Sequence, residues 1–156
     1  MEKTNAVRQL DRIKAAYRLH SCGGGVLSGV EVAEVLCQPA ERVFKTLVTA
    51  GKSGGHYVFM IPVAASLNLK KAAAAVGEKS LSMLPQKELL PLTGYVHGGC
   101  SPIGMKKQFP TVLHESATRY ETIFFSAGKI GLQIECAPAV LRALVPLQTA
   151  DVTEDD

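Results

Sequence analysis

VFKTLVTAGKSGGHYVFMIP, residues 43–62, decides the fold. Residues 43–50 carry apolar side chains on both faces of an extended chain, Val43 and Leu47 on one and Phe44 and Val48 on the other. That pattern predicts a central strand covered on both sides. Residues 52–55 form a polar, glycine-rich turn and residues 56–62 return as a second strand, so the stretch reads as a hairpin. Lys45 shares a face with Val43 and Leu47. An ammonium in such a partly buried place needs an acid, a carbonyl or an anionic ligand. The alternative is a stem that reaches solvent at the end of the sheet.

Working outward, Ala6, Val7, Leu10 and Ile13 recur at helical spacing and predict an amphipathic helix over residues 4–15. A short strand comes next at 17–21, and the glycines at 23–25 punctuate the chain. Ser28 with Glu31 three residues later makes a capping box for a helix reaching Leu36, closed off by Pro39. After the hairpin, residues 69–76 read as a helix stopped by Gly77, with Lys70 and Lys71 on a solvated face or, alternatively, as a phosphate clamp. A strand near Ser80 leads to a helical turn from Pro85 to Pro91. Strands are predicted at 110–114, 121–126 and 132–136, with a turn at 115–120 and a chain reversal at 127–131. A final helix spans 138–145, and the acidic tail at about residues 152–156 is expected to fray. Hairpins mixed with separate helices predict an α+β fold in which a mixed or antiparallel sheet curls around a core.

With 156 residues, 47% of them apolar, the chain is long enough for one domain with a real core. Its formal charge of +3, spread without blocks, permits nucleic acid without demanding it. No apolar run approaches the roughly 18 residues of a membrane span, and a start charged from Glu2 onward is unlike a signal peptide. The expectation is a soluble, cytoplasmic protein without membrane association. Cys22, Cys37, Cys100 and Cys136 stand singly, and His20, His56, His97 and His114 show no ligand spacing, so neither a metal nor another cofactor is expected. The thiols read as small apolar groups; Cys100 alone draws attention as a nucleophile, with no base named to activate it.

Cys100 lies in TGYVHGGCSPIGMKK, residues 93–107, where paired glycines, a Ser-Pro step and a third glycine fall between a tyrosine run and two lysines. Gly98 and Gly99 let a ligand approach bare backbone, and Pro102 stiffens the second half of the loop. Successive N–H groups in such a turn can cradle an anion or a carbonyl oxygen gaining charge. The spacing from Gly99 to Gly104 imitates a P-loop, but Met105 replaces the required lysine and Lys107 the magnesium-holding hydroxyl. Ser101 is not in a nucleophile elbow, because Ile103 stands where the second glycine belongs. A binding loop and a plain glycine-rich turn between strands both remain open.

Three separated motifs carry a family likeness: RVFKTLV at 42–48, the loop at 93–107 and SAGKIGLQI at 126–134. Together with KTNAVRQLD near the N-terminus, they make nearly the whole chain resemble the YbaK/EbsC family, stand-alone relatives of the prolyl-tRNA synthetase editing domain. The resemblance implies a closed or nearly closed mixed β-barrel decorated by helices. It also implies hydrolysis of the ester joining a wrong amino acid, typically cysteine or alanine, to proline tRNA. The implied partners are the acceptor end of aminoacyl-tRNA and prolyl-tRNA synthetase.

On the same basis Lys45 and the loop containing Gly98, Gly99, Cys100, Ser101, Pro102 and Gly104 line the pocket, with Ser126 and Gly128 opposite. Lys45 would contact the terminal phosphate or the carbonyl region, the Gly99 and Ser101 amides would polarise the ester, and Ser126 would shape the amino-acid pocket. Two pocket-adjacent positions depart from some members, which have a tyrosine near Cys22 and an aspartate at Gln133; Cys100 occupies a place usually apolar. The competing reading is a non-catalytic module that holds a tRNA end or small ligand and acts through a synthetase.

Overall fold

The computed structural model describes residues 3–23, 25 and 27–155. In chain order the elements are α1 (Asn5–Arg12), β1 (Tyr17–Ser21), α2 (Gly29–Val35), β2 (Phe44–Gly51), β3 (His56–Pro62), α3 (Leu69–Val76), β4 (Leu81–Met83), α4 (Gln86–Thr93), β5 (Thr111–His114), β6 (Ile123–Lys129), β7 (Leu132–Cys136), α5 (Pro138–Leu144) and β8 (Leu147–Ala150). Short 3₁₀ turns at Ala40–Arg42 and Glu115–Arg119 complete the path. Gly24, inside the predicted glycine punctuation, and Asp156, at the end of the tail, lie outside the described residues.

Local chemistry sets most boundaries. Thr4 caps α1 by accepting the Val7 N–H, and the expected capping box closes between Ser28 and Glu31. Gly77 ends α3 in the left-handed conformation. The first helix is shorter than its periodicity suggests, since Lys14 adopts φ 54° and turns the chain into β1. Pro91 does not end its helix as expected; α4 runs on to Thr93 and stops at Gly94, φ 87°. A proline this near the end removes only one intrahelical donor.

The α+β class and the mixed sheet hold, but the barrel does not. The strands form two sheets, an antiparallel one ordered β1-β7-β6 and a mixed one ordered β4-β2-β3-β5-β8. In the larger sheet β2 pairs antiparallel with β3 and β4, while β5 lies parallel to β3 and β8 parallel to β5. Closure would require β6 to pair along β2. Among the described residues only one bridge, Val43 with Phe124, joins the two sheets, and the ladder of β6 is itself interrupted between Ser126 and Lys129.

Side chains hold the sheets together instead. Phe44, Met60 and Leu113 from the larger sheet pack with Phe125, Ile134 and Cys136 from the smaller, under Val7 and Leu10 of α1. The opposite face of the larger sheet buries Phe59, Ile61 and Val112 against Ala72 and Ala73 of α3. Arg42 fixes the start of β2 to the small sheet: its Nε donates to Thr122 O at 2.8 Å and its Nη2 lies 3.2 Å from Glu135. Its guanidinium also stacks 5.0 Å from the Phe124 ring centre.

The tail, predicted to fray, is tied down through residue 155. Val152 is fully buried, Glu154 N donates to Ser66 O at 2.9 Å, and Lys71 Nζ reaches Asp151 and Asp155 at 2.9 and 3.0 Å. Apolar Val152 and the charge of Lys71 supply the anchor that an acidic composition conceals.

Candidate active site

The space between the open edge of β2 and the small sheet is a cavity of about 370 Å³. Its walls include Lys45 and Thr46 of β2, His97, Gly98 and Cys100 of the loop, and Ser126 and Gln133 of the small sheet. Of the residues singled out from sequence, five therefore share one hollow: Lys45, Gly98, Cys100, Ser126 and Gln133. Gly99, Ser101, Pro102, Gly104, Gly128 and Cys22 are not on its wall.

Lys45 lies opposite Ile61 in the hairpin and is half-buried. Its ammonium has no hydrogen bond or ion pair among the described residues, and burial holds its pKa below the usual lysine value. The lysine is thus an unneutralised cation facing a small space.

The loop is shaped by glycines with different tasks. Gly98, φ 86°, turns the chain so that Gly99 N donates to Val96 O at 3.0 Å. The Gly99 amide is consumed in this turn and does not fit the ester-polarising role expected of it. Gly99 is small for another reason: a Cβ there would sit 3.0 Å from Ile130 N in the β6–β7 hairpin. Ser101 is fully buried, and its Oγ accepts the Ile103 N–H at 3.3 Å. The amides of Gly98 and Cys100, on the cavity wall, have no acceptor among the described residues.

Gly104 and Gly128 close around Tyr95, whose hydroxyl donates to Ile103 O at 2.6 Å. A Cβ on Gly104 would meet Tyr95 Oη at 2.7 Å and Ala6 N at 2.9 Å, and one on Gly128 would meet the Tyr95 ring at 2.7 Å. These glycines lock the loop onto α1 and β6. Pro102 is buried in the same loop, and Cys22 belongs to the end of β1, where its N–H donates to Gly131 O at 2.7 Å.

Burial pushes the Cys100 thiol up to about 12, so it remains protonated and makes a poor nucleophile. Ser126 Oγ accepts the Gly128 N–H at 3.1 Å. Gln133, only 7% exposed, has a carboxamide without a protein partner among the described residues. Thr46, missed by sequence reasoning, has a buried Oγ1 that is likewise unpartnered. Its place opposite Met60, on the face of Phe44 and Val48, was legible; the missing cover above it was not. His97 also went unremarked because it shares no spacing with another ligand-type residue.

The arrangement offers a cation, free amides and two unpaired polar side chains around a small space, a set suited to a compact carbonyl compound with a polar or anionic end. Residues 25–144 match the sequence pattern of the aminoacyl-tRNA editing domain. The chain belongs to that family. The editing-domain likeness extends to a protein of Enterococcus faecalis bearing the provisional name Cys-tRNA(Pro)/Cys-tRNA(Cys) deacylase EbsC, 47% identical over 97% of this chain and 94% of that one. A proline–tRNA ligase of Thermosipho africanus is 34% identical over 49% of this chain, which corresponds to 14% of the ligase. A solved structure provisionally described as a trans-editing enzyme for prolyl-tRNA synthetase superposes with a TM-score of 0.86 over 99% of this chain and all of that one. Its identity is 24%, so this likeness supports the editing-domain fold alone. The expected resemblance to the YbaK/EbsC family is therefore borne out.

Proposed function

We propose that this editing domain acts in trans to hydrolyse the ester of mischarged aminoacyl-tRNA, with cysteine on proline tRNA as its first substrate. The observation that carries the reading is the meeting, in one cavity of about 370 Å³, of the unpaired Lys45 ammonium with the free amides of Gly98 and Cys100. An aminoacyl ester is already activated, so positioning and stabilisation of the developing oxyanion suffice. The two amides receive the carbonyl oxygen as it gathers charge. Lys45 holds the terminal phosphate or the same carbonyl region. The attacking group is water or, for cysteine, the substrate's own thiol.

Ser126 and Gln133 bound the amino-acid side of the cavity, and their spacing excludes a larger cognate residue as a second sieve does. The domain works in the cytoplasm, where aminoacyl-tRNA is made. A charge of +3 gives weak tRNA affinity alone, so prolyl-tRNA synthetase supplies tRNA identity. Among the described residues no helix is long and apolar enough to cross a membrane.

The test is release of amino acid from Cys-tRNA(Pro), Ala-tRNA(Pro) and a seryl control by the purified protein. Cysteine or alanine is released faster than serine, and Lys45→Ala slows release by about 10²-fold. Tight binding without release from any substrate would instead support a non-catalytic module. An undiminished rate in Lys45→Ala would remove the lysine from the mechanism.

A further inference from the structure

The hydrogen-bond ladder of β2 has a gap one residue wide. Val63 N donates to Val43 O and Gly51 N to Gly55 O, so the odd-numbered residues of β2 spend their backbone groups on β3. The even-numbered residues face the other way. There Lys52 N donates to Ser80 O and Leu84 N to Val48 O, each antiparallel step advancing by two residues. The next partner for Thr46 would be residue 86, but Pro85, φ −56°, ends the extended run and starts α4. Beyond the gap, Val43 is bridged to Phe124 of the other sheet.

The N–H and C=O of Thr46 are thus left facing the cavity, between the Val48–Leu84 bond on one side and the Val43–Phe124 bridge on the other. A buried backbone pair of this kind costs stability unless something bonds to it. The unpartnered Thr46 Oγ1 and Gln133 carboxamide beside it show that polar groups here await a ligand and not a strand. No aspartate or glutamate lines the cavity, so an amine entering it finds no carboxylate and must use a neutral acceptor.

We propose that the uncovered carbonyl of Thr46 accepts a hydrogen bond from the α-amino group of the aminoacyl ester, making a free α-amino group a condition of tight binding. The inference rests on the deacylase reading for the identity of the ligand. The carbonyl fixes the amino end against the β2 edge, while the acyl side chain points toward Gln133 and Ser126. Lys45, the neighbouring residue, disfavours a second positive charge and so favours the neutral amine.

The test compares two non-hydrolysable ends of equal size except for one group: 3'-deoxy-3'-(alanylamino)adenosine and its propionylamino counterpart, which lacks the amine. Calorimetric titration of the whole protein is expected to show at least about tenfold tighter binding of the alanyl compound, the worth of one good hydrogen bond. Equal affinities overturn the proposal. The same preference persists in Thr46→Val and Gln133→Leu, which keep the backbone; its loss in either assigns the contact to a side chain and also overturns it. A parallel assay with alanyl- and propionyl-tRNA(Pro) reports turnover separately. Absence of turnover on both removes the deacylase reading while the titration still decides the contact.

Discussion

Lys45 brings its charge into a half-buried place where nothing in the protein neutralises it, so its presence costs stability in the free protein. Because burial lowers its pKa from 10.5, the unfolded chain binds this proton more tightly than the folded one. The penalty is complete below the lowered value and disappears as pH rises to 10.5. Lys45→Met should therefore be more stable than the parent at neutral pH in urea denaturation, with the gain shrinking as the titration is repeated at higher pH. A constant gain would show that the charge is not its source. Cys100→Ala should retain deacylation within about threefold, because a thiol held near 12 is no nucleophile and the backbone amide survives the substitution. A loss as large as that expected for Lys45→Ala would restore the thiol to the chemistry.

At the scale of elements, the chain was most legible where one local rule acts alone. The β2–β3 hairpin follows from alternating apolar residues around a glycine turn, and α2 follows from Ser28 and Glu31. β8 was not foreseen: LQTA is four residues long, has exposed Gln148 and Thr149, and becomes a strand only because β5 lies beside it. The segment after it is held by His114, whose Nδ1 accepts the Val152 N–H at 3.3 Å. Burial, the largest influence, lowers the His114 pKa below 6.5 against the opposing pull of Asp151 and Glu115, while Arg119 and Lys71 add to the lowering. The unfolded chain therefore takes up the proton first on acidification. The stability from this contact is complete above 6.5 and is lost as pH falls through the lowered folded value. Urea midpoints measured from about pH 7.5 to about pH 5 should fall more steeply for the parent than for His114→Gln. Parallel curves would show that His114 does not carry the acid dependence.

Across the whole molecule, the candidate site depends on two sheets kept apart, a relation that no single stretch of sequence states. Lys45 and the glycine loop were legible because an inward lysine and clustered glycines break local expectations. The gap at Thr46 was not, since it arises from where Pro85 diverts a strand about forty residues further along the chain. Met60 stands where the sheets meet, fully buried with Phe44, Phe125 and Ile134. Met60→Ala should cost about 3 kcal/mol by denaturant unfolding and should also weaken deacylation, because the cavity walls belong to different sheets. Lost stability with unchanged turnover would mean that the walls are positioned independently of this contact.

The register of β1 has a consequence for how the protein is made. Residues 17–21 pair with residues 132–136, so the first strand to leave the ribosome waits for nearly the last. Thr4 has the same wait, since its hydroxyl donates to Ala127 O at 2.6 Å. Closing contacts so distant in sequence is slow. The nascent chain therefore emerges with α1 and β1 lacking their mates, and the pocket is completed only after translation has almost finished.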